Sequence, residues 1–106
     1  MTAPVPLGAL RHRLTLERGA LDDHGETEWT PVDTVFAALS PVSAGETPAG
    51  GGVSGTVTHR IEMRWRDDVS ARDRLRLGVR IFRILAARDL DERRRRLVVL
   101  AEEEGR

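Results

Sequence analysis

Residues 56–66, TVTHRIEMRWR, alternate without a break. Val57, His59, Ile61, Met63 and Trp65 fall on one side, and Thr56, Thr58, Arg60, Glu62, Arg64 and Arg66 on the other. Period-two alternation over this length is the pattern of a half-buried β-strand, because successive strand side chains point to opposite faces. On a helix, positions two apart diverge and no such division would result. The chain is therefore expected to build a sheet around this strand. One face of it would enter the core, and the other would present charge to water or to a partner.

The rest of the chain repeats the pattern in shorter runs. In residues 10–18, Leu10, His12, Leu14 and Leu16 oppose Arg11, Arg13, Thr15 and Glu17, which predicts a first strand. Residues 19–26, GALDDHGE, carry turn chemistry. Residues 27–42 read as a second strand with Trp29, Val35, Phe36, Ala37 and Leu39 apolar. Pro31 cannot donate to a ladder, so it marks an edge or bulge or splits this strand. After the central strand and a short connection, residues 74–77 alternate and Gly78 gives a tight turn. Residues 79–87 form a further strand with Phe82, Ile84 and Ala86 on one face, and residues 97–101 form the last. A helical turn is expected only around residues 87–94, and residues 102–106 read as an acidic tail. Short strands with frequent turns predict an all-β fold, a small single-domain β-barrel or sandwich of about six strands over residues 1–106.

Two segments stand outside this pattern. Residues 1–8, with Pro4, Pro6 and Gly8, predict an extended arm. Residues 43–55, SAGETPAGGGVSG, hold five of the ten glycines and predict a long flexible loop between strands 2 and 3. It lacks the Gly-Lys-Ser/Thr ending of a phosphate-binding loop.

Composition narrows the function. The chain has 106 residues, enough for one modest core. No cysteine is present, which excludes disulfides and thiolate metal sites. Net charge is zero although 32% of residues are charged, which disfavours a generic polyanion or membrane binder. All 17 basic residues are arginine, the residue better suited than lysine to bidentate, partly desolvated contacts. No secretory leader or membrane-spanning run is read, so the chain is expected in the cytosol where it is made.

No catalytic constellation emerges. His12, His24 and His59 lie in separate segments without metal-ligand spacing. His12 and His59 fall on core-facing sides and would be neighbours if their strands pair. Asp22–Asp23 and Asp67–Asp68 sit in turn contexts that favour local backbone hydrogen bonds. No catalytic residue, metal site or cofactor is assigned. The features left over are charged. Arg60, Glu62, Arg64 and Arg66 on the central strand carry both signs, which suits a specific protein contact more than a nucleic acid track. Arg93, Arg94, Arg95 and Arg96 are flanked by acids, including Glu102 and Glu103, and are read with them as subunit-interface residues.

The ordered segments LRHRLTLER, TVFAALSPV, THRIEMRWR and GVRIFRILAARDLDERRRRLVVLAEE resemble the bacteriophage head–tail joining family. These are head-closure or stopper proteins, including those of phage-like gene transfer agents. The resemblance implies a small β-barrel that assembles into a homo-oligomeric ring at the head–tail interface of a virion or virion-like particle, made in a bacterial cytoplasm. The ring would lie below the portal and its adaptor and above the tail terminator or tail-tube protein. It would retain packaged DNA, with non-specific contact in the channel, and offer the tail its docking surface. The loop between the second and third strands would face the channel, here through Gly45, Glu46, Thr47, Gly50, Gly51, Gly52 and Val53. A tail terminator or other tail-joining ring protein is the first alternative, and a small nucleic-acid-binding barrel the second.

Overall fold

In the computed structural model, residues 4–42 and 56–104 are described. Six antiparallel strands close into one barrel: β1 (His12–Leu21), β2 (Thr27–Pro41), β3 (His59–Arg64), β4 (Asp73–Leu77), β5 (Arg80–Asp89) and β6 (Arg96–Glu103). The order around the barrel is β1-β2-β3-β6-β5-β4, and β4 returns to β1. Closure removes the open sheet edge that a six-stranded meander would otherwise expose.

The alternation dictates the interior. Leu14 and Leu16 of β1, Val35 and Ala37 of β2, Ile61 and Met63 of β3, Leu75 of β4, Phe82 and Ile84 of β5, and Leu97, Val99 and Ala101 of β6 form one buried cluster. Each of these two-residue repeats supplies one inward stripe, so the six stripes fill the barrel with aliphatic side chains and a single phenylalanine. Trp65, just past β3, is half-buried against this cluster.

Two bulges reconcile the pattern with closure. Between the first two strands the register steps from Leu16↔Asp33 to Glu17↔Pro31, leaving Val32 as an extra residue. Pro31 thus sits at a bulge, and β2 runs through it unbroken. In β5 the register steps from Ile84↔Ala101 to Ala86↔Leu100, so Leu85 is the extra residue. The slip turns the inward face, and Ala87 rather than the expected Ala86 packs on the core.

Other boundaries move for visible reasons. β1 extends through Gly19 to Leu21, because Trp29 of β2 lies against the bare Gly19 backbone. A Cβ there would come within 2.9 Å of the Trp29 ring. The turn itself is only residues 22–26, where Asp22 Oδ1 accepts the backbone N–H groups of His24 and Glu26. The expected acidic tail is drawn into β6, since Glu102 and Glu103 pair in register with Arg83 and Phe82. Where a helical turn is expected near residue 90, the short turn Leu90–Glu92 has left-handed backbone at Asp91 and Glu92.

The histidines separate. His12 stands opposite Ala37 on the side of Leu14 and Leu16 but is exposed at the start of β1, and β1 pairs with β2 and β4 rather than with β3. His59 is partly buried edge-on to Phe82, with ring centroids 5.0 Å apart.

Candidate assembly surface

The outer face of the barrel is where its charge is sorted. Glu62 points outward from β3 yet is only 1% exposed. Residues 4–10 lie across it: the backbone N–H of Val5 donates to Glu62 Oε2 at 2.9 Å. A short 3₁₀ turn, Leu7–Ala9, leads on to buried Leu10. Arg96 Nη1 donates to the same carboxylate oxygen at 2.6 Å, and Arg60 Nη1 to Oε1 at 3.3 Å. A buried carboxylate is tolerated only when its lone pairs are filled, and here three donors fill them. The arm is thus part of the fold from residue 4, docked on its own chain.

The same matching recurs elsewhere on the barrel. Glu17, also nearly buried, accepts from Arg74 at 2.6 Å and faces Arg76 at 3.4 Å, and the Arg74 guanidinium lies 4.2 Å over the Trp29 ring. Asp73, fully buried, accepts from Arg18 at 3.0 Å and from the Ser70 backbone N–H. Arg66 bridges Asp33 at 2.7 Å and Asp68 at 2.9 Å. Its hydrogen bonds hold both carboxyls below the ordinary range and raise its own pKa. Arg80 pairs with Glu103 and Arg83 with Glu102 across the β5–β6 ladder.

The sequence-predicted interface residues therefore divide. Arg60, Glu62 and Arg96 form one buried cluster, Arg66 belongs to the Asp33–Asp68 bridge, and Glu102 and Glu103 pair within the chain. Arg64, Arg94 and Arg95 remain, exposed, and among the described residues no carboxylate lies within ion-pair distance of them. They converge on one hollow of about 560 Å³, whose other walls are Pro4 and Leu7 of the arm, Trp65, and Arg96. Arg93 lines a different hollow, shared with residues 88–92. The channel-loop residues Gly45, Glu46, Thr47, Gly50, Gly51, Gly52 and Val53 lie outside the described residues.

The β5–β6 connection that carries Arg94 and Arg95 is held in an unusual shape. Asp91, Glu92 and Arg94 have φ of 63°, 55° and 55°, the only non-glycine residues with positive φ among those described. That conformation costs an L-residue of order 1 kcal/mol or more. Both carboxylate oxygens of Asp89 accept the Arg94 backbone N–H at 2.9 Å, and the Trp65 N–H donates to Arg95 O at 3.1 Å. These bonds fix the arginines at the hollow's rim. Sequence reading missed Pro4, Leu7 and the outward role of Trp65. The arm's contact with β3 is non-local, and Trp65, which packs on the core as the alternation assigned it, also lines the hollow.

Among the described residues no group of histidines and carboxylates could hold a metal ion, and no helix is long and apolar enough to cross a membrane.

The fold and this surface can be set beside known proteins. The model of the phage head completion protein family matches residues 5–104. The chain belongs to the phage head completion protein family. Its place is therefore in the virion, as a structural component of the phage head. Two solved structures are similar along nearly their whole lengths. One is the solution structure of protein SF1141 from Shigella flexneri 2a, with a TM-score of 0.71 and 29% identity over 95% of this chain and 98% of that one. The other is a chain in the virion of a native gene transfer agent particle, with a TM-score of 0.65 and 28% identity over 89% of this chain and 93% of that one. A comparison with curated protein sequences finds no match.

Proposed function

We propose that this head completion protein is a single-domain connector subunit. In this reading it forms a homo-oligomeric ring between the portal or its adaptor and the tail, helps retain packaged DNA, and gives the tail a surface to dock on. The observation that carries the reading is the similarity, over 89% of the chain, to a component of an assembled gene transfer agent virion. The surface supports it. A ring subunit needs two different complementary faces, because ring contacts are heterologous. Arg64, Arg94 and Arg95 line one hollow together, and among the described residues none of them is in an ion pair. Its role is structural rather than enzymatic.

Electron microscopy of the parent particle tests the reading. The chain is expected as a ring on the head–tail axis, touching the portal or adaptor on one side and the tail on the other. Density for it touching only the tail tube would make it a tail terminator instead, and its absence from the head–tail axis would refute the connector role.

A further inference from the structure

The hollow walled by Leu7, Arg64, Trp65, Arg94 and Arg95 has a chemistry that selects its occupant. Arg64, Arg94 and Arg95 line it and no acidic residue is among its walls, while its fourth arginine, Arg96, is already paired with Glu62 at 2.6 Å. Like charges held near one another repel, and an anionic partner relieves the repulsion. Between the arginines lie apolar surfaces, the half-buried Trp65 indole and the exposed Leu7. The three left-handed residues at 91, 92 and 94 keep this rim in place at a cost in backbone strain, the sort of cost that clusters at functional sites.

We propose that this hollow binds an extended acidic peptide segment of a neighbouring protein in the particle. Its carboxylates seat on Arg64, Arg94 and Arg95, and one apolar side chain between them seats on Trp65 and Leu7. Arginine suits this occupant, since its planar fork pairs carboxylates bidentately as it does phosphates, and the other walls decide between the two. A nucleic acid fits less well. The Pro4–Leu7 wall and the Glu62-neutralised floor offer a phosphate chain nothing to track, and one tryptophan edge is no stacking platform. The volume of about 560 Å³ suits a few residues of chain. The inference rests on the connector reading only for the identity of the neighbour; the binding chemistry stands without it.

The test uses the full chain and a fluorescein-labelled heptapeptide of alternating glutamate and leucine, followed by anisotropy. Saturable binding is expected for the wild type. Arg95→Glu should weaken it by about tenfold or more, as losing a charged hydrogen-bond partner does. Arg72→Glu, the same charge change on an exposed residue outside the hollow, should weaken it less than about twofold, given screening over a Debye length. Trp65 emission should shift on binding, and a glutamine-for-glutamate peptide should not bind. Circular dichroism would show that both variants keep the β-barrel spectrum. No saturable binding, equal losses from the two variants, or displacement by oligothymidine at lower concentration than by unlabelled peptide would each overturn the proposal. The two readings fail separately. A ring on the head–tail axis with no peptide binding sinks only the acidic-segment site, and peptide binding by a chain found elsewhere in the particle sinks only the connector.

Discussion

Two charged regions of this barrel show opposite habits. Around Arg18, Arg66, Asp33, Asp68 and Asp73, each arginine meets at least one carboxylate within the chain, and Asp73 is buried to do so. Around Arg64, Arg94 and Arg95, arginines are gathered and left without one. The difference separates charge that closes the fold from charge that is held open. Buried or half-buried pairs fix strands and connections in register. Arg64 on β3 and Arg94 and Arg95 on the strained turn are in no internal ion pair among the described residues, which is why the proposed partner is placed on them.

The largest expected effect comes from breaking the matched side at its most buried point. Arg96→Met leaves the Glu62 carboxylate buried without its shortest partner. It should destabilise the barrel by about 3–5 kcal/mol in urea unfolding. Glu62→Leu combined with Arg96→Met should recover most of that loss, because the uncompensated charge is gone. A double variant as unstable as the single would mean that packing of the arginine stem, not charge matching, holds the site. Asp73→Ala should cost about 2–3 kcal/mol, since Arg18 and the Ser70 N–H lose their acceptor together.

pH separates the two sides more gently. Asp33 and Asp68 titrate below their ordinary value of 3.8 in the folded state because of Arg66. Their contribution is complete above that value and is lost as pH falls below it through the lower folded-state values. His59, whose pKa burial lowers from 6.5, acts in the same direction at higher pH. The unfolded chain binds its proton first, so stability falls as pH drops below 6.5, and His59→Gln should flatten the thermal-melt profile there. The smallest effect is expected on the open side. Arg95→Ala should leave the unfolding midpoint nearly unchanged, within about 0.5 kcal/mol, as befits an exposed residue outside every internal ion pair.

Much of the barrel was legible because alternation is a local signal. Ile61 and Met63 enter the core where period two places them, and Leu14, Leu16, Phe82 and Ile84 do likewise. The failures share a non-local cause. Ala87 displaces Ala86 because Leu85 is bulged out, and a bulge is set by the partner strand's register rather than by its own sequence. His12 keeps the parity of Leu14 and Leu16 but lies at the first position of β1, where the barrel end leaves it exposed, and the strand order separates it from His59. Glu62 and Glu17 sit on the outward side as read, but the arm in one case and two arginines in the other cover them. The arginine cluster was visible as sequence. Its division into matched and unmatched members was not, since Glu62, the partner of Arg96, and Asp33, one of the two partners of Arg66, lie in other strands.

The claim that the open arginines are the assembly surface is tested most directly by reversing them in the particle. Arg64→Glu with Arg94→Glu should yield a folded, unchanged monomer that is missing from purified particles, which would then lack joined tails. Normal particles containing the doubly reversed chain at full occupancy would contradict the account.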